Sequence, residues 1–492
     1  MTVLNLIVLL PIVLALFIAL GMPARRTALL SAWWQLGLTL FALFDYDHAR
    51  GGFQLRSAWN VAPGWDLSLQ LGADGLSLVM LLLTALVTVA AVLCTPKIEK
   101  RENLFYASVL LISAGAAGAF ASLDLFFFYA FHELALIPTF LLIGVWGYGE
   151  RQVAAWKITI YLAIGSIILL IGLSKLYLAL PTDQRTFDMV KLLAHPGAIP
   201  AAAQGDIYIW LLIGFGILIS LVPFHSWAPS AYASAPAPVA MLHAGVLKKF
   251  GLYGLIRLAI PLLPAGAAQW SNFLLVLLVA NILYIGLVTI AQKRLDLMLG
   301  YSSVMHMGYV FLGIAAANAV GVTGASLLML AHGLSIAALF AMCGYLRQQA
   351  PSLAFTSLGG LAKRTPFLGY AFGMAAFASI GLPGFANFAS ELMVFFGAFG
   401  SGAVKGSLSF GPKQIATICA LWGVVISAVY MLRAYRQMFQ GEASANTETT
   451  TDPDYSIRWP VILLLVALFI GGVWPSSYLR YIQPSVEAMV GK

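Results

Sequence analysis

Six ionisable residues lie inside stretches that are long and apolar enough to cross a membrane: Glu133, Lys248, Lys249, His306, His332 and Glu391. An ionisable side chain at the centre of a bilayer costs about 2.5–3.5 kcal/mol on insertion scales, so such residues face a bundle interior or a water-filled path. Carboxyl, amine and imidazole groups all bind and release protons. These positions therefore indicate that charge moves through the membrane.

Glu133 lies in the middle of an aromatic-rich stretch, residues 125–138. Burial favours the neutral form of a carboxyl group unless a cation is close. A glutamate whose charge depends on a neighbouring cation suits a proton relay, and the alternative is a protonated glutamate that only bonds across helices. The adjacent His132 points about 100° away around a helix, which favours a packed aromatic ring.

Lys248 and Lys249 are neighbours in the stretch from His243 to Gly254, so a helix turns their side chains about 100° apart. We expect only one of them on the central axis of the bundle. The two lysines are too deep in their span to reach the membrane surface, and a desolvated amine exchanges protons readily. His243 adds a third titratable group to this stretch.

His306 and His332 stand singly in two further apolar runs. An imidazole ring both donates and accepts hydrogen bonds near neutral pH, so it can pass a proton between neighbours. A packed structural histidine is the alternative at each position. A metal site is not expected, because neither histidine has a second ligand three or four positions away.

Two proline motifs, residues 221–224 and 381–385, interrupt long apolar runs. Pro223 and Pro383 each remove a backbone donor and clash with the preceding turn, so each helix should split into two halves. Glu391 follows the second motif in the same run. A pair of broken helices five spans apart indicates inverted repeats with a site at each break, although ordinary proline kinks would leave the same pattern.

The chain that positions these residues is 61% hydrophobic and 9% charged, with a mean hydropathy of +0.90. Apolar runs of about 20 residues predict an all-α polytopic membrane protein and exclude a soluble enzyme or the alternating strands of a membrane β-barrel. The first run lacks a basic segment and a cleavage site, so we expect it to stay as a helix. The fourteen predicted spans are 3–21, 28–45, 75–95, 104–122, 125–145, 155–180, 207–228, 236–259, 270–291, 297–316, 323–346, 366–399, 414–437 and 459–480.

The basic residues indicate how the spans are oriented. Connections one, three, five, nine, eleven and thirteen hold Arg25, Arg26, Lys97, Lys100, Arg101, Arg151, Lys157, Lys293, Arg294, Arg347, Lys363, Arg364, Arg433, Arg436 and Arg458. The other connections hold about half as many: Arg50, Arg56, Arg185, Lys191, Arg257, Lys405 and Lys413. The positive-inside rule makes the first set cytoplasmic and puts both termini on the opposite side. Because the net charge of +8 is scattered and forms no basic patch, a nucleic-acid partner is not expected.

Four segments follow from this pattern of spans and breaks. Residues 1–103 hold the first three spans, 104–259 and 260–438 form two inverted repeats of five spans each, and 439–492 hold a polar cytoplasmic loop and the last span. Each repeat should contain one of the two broken helices.

The remaining candidate residues are assigned structural roles. Asp74 and Asp124 begin two spans, where a carboxylate accepts amide hydrogens and meets the positive end of the helix dipole. Cys94, Cys343 and Cys419 fall in apolar runs without the spacing of a zinc, haem or iron–sulfur site. We therefore expect no redox centre, cofactor or metal on this chain.

Eight ordered motifs extend over nearly the whole chain: Asp74-Gly-Leu-Ser77, Glu133 with Ile137-Pro138, Pro223-Phe-His-Ser-Trp227, the stretch Lys249–Gly254, Tyr301-Ser-Ser303 with His306-Met-Gly308, Ala331-His-Gly-Leu-Ser335, Gly381-Leu-Pro-Gly-Phe385 and Ala428-Val-Tyr-Met-Leu-Arg433. With these motifs the sequence resembles the antiporter-like membrane subunits of NADH-quinone oxidoreductase, respiratory complex I. It is most similar to the chain M group, the counterpart of NADH dehydrogenase subunit 4. The glutamate at position 391 favours that group, because chains L and N usually have lysine there.

The resemblance implies a proton-translocating bundle of helices that is driven by quinone reduction elsewhere in a complex. It implies that NADH, FMN, iron–sulfur clusters and quinone bind to partner subunits, and that this chain contacts the lipid bilayer and other membrane subunits, especially the antiporter-like chains L and N, in a bacterial inner membrane. It also places Glu133, Lys249 and Glu391 along a hydrated axis at mid-membrane, with His306 and His332 between them.

This chain departs from the family pattern in the region around Glu133. Family members usually have a lysine at the position of Leu218, so the usual partner of Glu133 is missing. Relatives often have Asp-Ala-His where this chain has Ser230-Ala-Tyr232. Lys248 and His243 are titratable residues that typical chain M sequences lack, and we hypothesise that they compensate for Leu218.

Two other functions share these sequence features. The D-type component of a multisubunit sodium/proton antiporter, or a membrane-hydrogenase relative, has the same scaffold, and neighbouring genes would separate it from a quinone-linked complex. A spacer that only holds neighbouring subunits would explain Leu218. Proton-pumping stoichiometry in mutants would separate a spacer from an active channel.

Overall fold

The structure of the chain is a computed structural model that describes residues 2–62, 64, 67–401, 410–447 and 449–491. Lys405 and part of the predicted loop at 441–454 lie outside these residues. Helices dominate, because a helix satisfies its backbone hydrogen bonds within one segment. The helices before the first break are α1 (Val3–Ala19), α2 (Ala24–Asp45), α3 (Gly75–Leu93), α4 (Glu102–Ala121), α5 (Leu125–Trp146), α6 (Arg151–Leu178), the short α7 (Met189–Ala194) and α8 (Ala201–Ile219).

A second group of helices lies between the two breaks. It comprises α9 (Trp227–Ser234), α10 (Ala237–Leu242), α11 (Lys249–Gly254), α12 (Ile260–Leu262), α13 (Pro264–Gln269), α14 (Ser271–Ala291), α15 (Leu295–Ala316), α16 (Ala319–Gln349), α17 (Leu361–Arg364) and α18 (Pro366–Ile380). Two π-helical turns, His243–Leu247 and Leu255–Ala259, join α10, α11 and α12 into one helix, Ala237–Leu262, which we call the lysine helix. The helices after the second break are α19 (Ala386–Gly400), α20 (Pro412–Phe439), α21 (Tyr455–Val473) and α22 (Ser476–Val490).

Twelve of the described helices are long and apolar enough to cross a membrane, and Val3–Ala19 and Pro366–Ile380 are shorter apolar helices. These helices coincide with the predicted apolar runs. The chain is therefore an all-α polytopic membrane protein. The count of fourteen crossings, the inverted repeats and the four segments stay predictions.

The predicted spans leave out one antiparallel hairpin, formed by β1 (Gln54–Ala62) and β2 (Leu67–Ala73). Residues 67–71 alternate leucine with polar side chains, which is the period of a strand. That signal is short beside the long apolar runs that flank it. Leu71 forms a bridge to Ser122, so the hairpin ties the entry of α3 to the connection between α4 and α5.

The first break interrupts a helix at the predicted proline motif. Helix α8 ends at Ile219, Ser220 adopts a left-handed conformation with φ of 72°, and α9 begins at Trp227. The break leaves backbone amides without helical partners inside the bundle. One of them is satisfied from another helix, because the Val222 amide donates to Asn281 Oδ1 of α14 at 2.7 Å.

The second break lies between α18 and α19. Helix α18 ends at Ile380, and α19 begins at Ala386. Gly381 and Gly384 between them have φ of 83° and 100°, which glycine adopts without steric cost. This break therefore depends on its two glycines as well as on Pro383.

The burial of the helices separates a core from a rim. Within the most apolar 18-residue stretch of each helix, all residues of the lysine helix and 94% of those of α3 and α16 are buried, whereas 39% of those of α6 and α20 are buried. The ionisable residues of the lysine helix, α15 and α16 are therefore enclosed by other helices. This is the arrangement that shields charged groups from lipid.

Candidate functional site

Lys249 of the lysine helix begins a row of ionisable side chains. Its Nζ lies 2.9 Å from His332 Nδ1 on α16 and donates to the Ala244 carbonyl oxygen at 2.7 Å. Lys249 is fully buried, and none of the ion pairs among the described residues joins it to a carboxylate. A buried amine that has only neutral partners can pass its proton to the adjacent imidazole.

His306 of α15 continues the row. Its ring centroid is 5.5 Å from that of His332. His306 Nδ1 lies 2.8 Å from the Ser302 carbonyl oxygen, and Nε2 lies 2.8 Å from the Ser379 carbonyl oxygen. An imidazole ring has two N–H donors only when both nitrogens carry a proton. The two carbonyl groups therefore stabilise His306 while it holds an additional proton.

Glu391 of α19 ends the row at the second break, where Ser379 precedes Gly381 by two residues. A Cβ added to Gly381 would stand 2.3 Å from Glu391 Oε2, so the carboxyl group packs directly against the break. Glu391 is 4% exposed, and its Oε1 has no hydrogen-bond partner among the described residues. A carboxyl group that is buried and incompletely bonded is suited to take up and release a proton.

The structure thus brings together four of the predicted path residues, which we call the central row: Lys249, His332, His306 and Glu391. Their contacts run from the lysine helix through α16 to α15, and His306 then bonds the Ser379 carbonyl of α18 beside the break against which Glu391 packs. Among the described residues there is no group of three or more His, Cys, Asp or Glu side chains that could hold a metal. The three cysteines are free.

Glu133 of α5 lies apart from the central row. Its side chain is 33% exposed, Ser166 Oγ donates to Oε1 at 2.5 Å, and His132 Nδ1 lies 3.4 Å from Oε1. The interpretation of His132 as only a packed aromatic ring is wrong in part, because His132 both stacks on Phe250 and reaches Glu133. Leu218 is buried, and no lysine among the described residues forms an ion pair with Glu133.

Lys248 and Lys249 turn to different sides of the lysine helix, as their adjacency predicts. Lys248 Nζ lies 3.4 Å from Ser303 Oγ and 5.3 Å from the centre of the Tyr232 ring. The Tyr232 hydroxyl lies 3.3 Å from His243 Nδ1. Lys248 and His243 therefore belong to a second polar cluster beside α9, and no ion pair among the described residues joins either of them to Glu133.

Both predicted caps accept amide hydrogens, since Asp74 accepts from Ser77 N and Asp124 accepts from Phe127 N. Asp74 has a second partner that the sequence does not predict. Arg257 donates to both Asp74 oxygens at 2.7 Å each, and both residues are buried. The prediction that Arg257 lies in a connection is wrong, because Arg257 lies inside the lysine helix. The sequence already indicated this position, since Arg257 falls within the predicted span 236–259.

The fold and the central row define a class: a helical membrane protein that carries ionisable side chains through its core. The family described as "NADH:quinone oxidoreductase/Mrp antiporter, TM" matches residues 122–411. NAD(P)H-quinone oxidoreductase chain 4-2 of Synechocystis sp. is 38% identical over 440 residues, which are 88% of this chain and 77% of that relative. The chain therefore belongs to the NADH:quinone oxidoreductase/Mrp antiporter family of transmembrane subunits.

Two solved structures have the same fold. A chain of respiratory complex I from Thermus thermophilus with bound NADH matches with a TM-score of 0.89 and 28% identity over 99% of both chains. A chain of the Mrp complex from a Dietzia species matches with a TM-score of 0.85 over 99% of this chain and 97% of that chain. The second pair is 22% identical, so it supports the fold alone.

Proposed function

We propose that this chain translocates protons as an antiporter-like membrane subunit of an NADH-quinone oxidoreductase complex. The observation that carries the proposal is the central row. Lys249, His332 and His306 follow one another in it, and His306 reaches the second break, against which Glu391 packs. Quinone reduction in partner subunits drives the proton movement. NADH, FMN, iron–sulfur clusters and quinone are assigned to those partners.

Each member of the row has a defined part in this proposal. Lys249 gives a proton to His332 Nδ1 and becomes a neutral amine. His332 Nε2 has no partner among the described residues, and buried polar atoms of this kind bind water, which would carry the proton to His306. His306 releases it at the second break toward Glu391, which becomes neutral.

The surface around Glu133 supports a neighbouring membrane subunit as partner. A carboxyl group that is one-third exposed on a membrane-embedded surface is costly unless another protein surface covers it. The exposed residues Ile137, Trp156 and Ile164 on α5 and α6 make the rest of this face apolar. We assign this face to contact with another antiporter-like subunit, such as chain L or N.

The basic connections support an orientation in a bacterial inner membrane. The face that carries the richer set of Lys and Arg residues is assigned to the cytoplasm, and both termini are assigned to the opposite side. We call the face with the richer set of Lys and Arg residues the basic face. Arg257 does not count toward this asymmetry, because it lies inside a helix, and without it the opposite face is even poorer in positive charge.

The test of the proposal is the Glu391→Ala variant of the complete complex in sealed vesicles. We expect proton pumping and quinone reduction to fall strongly while the complex assembles, since the last titratable group of the row is removed. Glu487→Ala is the matched control, because Glu487 is exposed on α22. Normal pumping by Glu391→Ala would contradict the proposal and support the spacer function instead.

Sodium/proton antiport is the second candidate function, and one observation favours it. Asn387 lies one helical turn before Glu391, and both its Oδ1 and Glu391 Oε1 are buried without a partner among the described residues. Hard cations take oxygen ligands, but usually six or more of them, and two oxygens fall short of that number. Pumping that requires sodium at constant ionic strength would favour this candidate over proton translocation.

A further inference from the structure

Three buried polar side chains form a cluster outside the central row: His243 and Lys248 of the lysine helix and Tyr232 of α9. None of them is more than 4% exposed. The Tyr232 hydroxyl lies 3.3 Å from His243 Nδ1, and Lys248 Nζ lies 5.3 Å from the centre of the Tyr232 ring. We call these residues the tyrosine cluster.

The first π-helical turn of the lysine helix builds this cluster. In an α-helix, residues five apart point about 140° away from each other. In the turn His243–Leu247 the Lys248 amide instead donates to the His243 carbonyl oxygen, a bond between residues five apart. Such a bond sets the two residues nearly above one another, so both side chains reach Tyr232.

A cavity of 510 Å³ opens on the basic face beside this cluster. Its polar lining includes Glu150, Lys157, Ser230, Ser234, Arg294 and Arg347. Ser230 and Ser234 lie on α9, the same short helix whose Tyr232 is buried against His243. Helix α9 therefore faces the cavity with Ser230 and Ser234, and it faces the other members of the tyrosine cluster with Tyr232.

On its inner side the cluster reaches α15, the helix that carries His306. Lys248 Nζ lies 3.4 Å from Ser303 Oγ on α15. Ser303 and His306 are three residues apart on that helix, so they are neighbours on its surface. No ion pair among the described residues joins Lys248 to a carboxylate, so its charge is not fixed by a partner.

We propose that the tyrosine cluster is a proton-entry branch, in which Lys248 takes up protons from the cavity on the basic face and passes them through Ser303 to His306. The branch rests on the proposed proton translocation and adds an entry route that does not pass Glu133. It explains how the chain functions with Leu218 in place of a cation. In each cycle the Lys248 ammonium gives one proton to the Ser303 hydroxyl as that hydroxyl gives one to His306, and the neutral amine is reprotonated through Tyr232 and His243.

Three variants of the complete complex in sealed vesicles test this branch. Lys248→Met keeps the length of the side chain without the charge, and Lys248→Arg keeps a charge that does not give up its proton. We expect both variants to assemble and to lower the pumping rate several-fold. Leu252→Met, a fully buried position on the same helix, is the control and should pump at the parent rate.

The outcomes separate the branch from the proposed function. Parent-like pumping by Lys248→Arg would mean that Lys248 is only a fixed cation, and parent-like pumping by Lys248→Met would remove it from the path. Either result would overturn the branch alone. A parent complex that does not pump would overturn the proposed function and the branch with it.

Thiol labelling tests the opening of the cavity independently of pumping. Ser230→Cys, on the cavity side of α9, should react with a small cationic methanethiosulfonate reagent that is added to the basic face, and it should be protected from reagent on the opposite face. Leu252→Cys should stay unlabelled from both faces, and the parent gives the background of the native cysteines. Labelling of Ser230→Cys from the opposite face, or from neither face, would overturn the branch, because the cavity would then not open on the basic face.

Discussion

The lysine helix carries Arg257 near its C-terminal end and Lys249 at its middle, two groups of the same charge in opposite surroundings. Arg257 donates to both oxygens of Asp74 and to the Tyr253 hydroxyl, so its charge is fully paired. Lys249 has a histidine and a backbone carbonyl as its partners and no carboxylate among the described residues. A paired charge stays in place, whereas an amine with neutral partners can lose its proton and regain it.

This difference assigns structural and functional roles within one helix. A charge that must stay buried requires the neighbouring acid, because removing one partner leaves the other uncompensated. A group that must release and regain its proton cannot have such a partner, because a tight ion pair would hold the proton on the cation. The second π-helical turn contains Arg257, which bonds Asp74, and the first turn aligns His243 with Lys248, the neighbour of Lys249.

The largest effect is expected when the pair at Arg257 is broken. Asp74→Ala leaves a buried guanidinium without its acid, and breaking a buried pair costs about 3–5 kcal/mol. We therefore expect little assembled complex in the membrane, as measured by native gel electrophoresis. The double variant Asp74→Leu with Arg257→Leu should recover part of the assembly, because two apolar groups need no pairing. Normal assembly of Asp74→Ala would show that the pair is not structural.

A smaller loss of assembled complex but a large loss of function is expected at Lys249, in the middle of the same helix. Lys249→Met should assemble and should lower coupled turnover at least about tenfold, since groups that transfer protons commonly contribute factors of 10² to 10⁴. Lys248→Met should lower it less, because Lys248 lies beside the central row and not in it. Turnover per assembled complex is the measurement. Equal losses in the two variants would contradict the assignment of Lys249 to the row.

The sequence predicts the members of the central row and both breaks better than it predicts their partners. Lys249, His332 and His306 are recognisable because polar residues in apolar runs are costly and few. The Asp74–Arg257 pair joins residues that are 183 positions apart, and only the packing of α3 on the lysine helix decides it. The π-helical turns cannot be predicted from the sequence either, because no residue type marks them in the way that proline marks a break.

The smallest effect is expected at Glu133, which differs from Glu391 in having bonded partners and an exposed edge. A Cβ added to Gly165 would stand 3.1 Å from Leu218 Cδ2, and Gly165 precedes the Ser166 that bonds Glu133. A lysine at position 218 would thus reach toward Glu133. Without that lysine we expect Glu133 to be mainly protonated at neutral pH, because desolvation favours the neutral acid, and the bonds to Ser166 and His132 are what favour the carboxylate instead.

Infrared difference spectra of the carboxyl C=O stretch test this expectation. The parent should show the band of a protonated acid that is absent from Glu133→Gln, and Leu218→Lys should lose the same band, because the added ammonium stabilises the carboxylate. The pH dependence of turnover should change with it, while the pumping rate changes little. If the parent lacks the band at neutral pH, Glu133 is already ionised, and His132 at 3.4 Å is then the cation that has taken the place of the missing lysine.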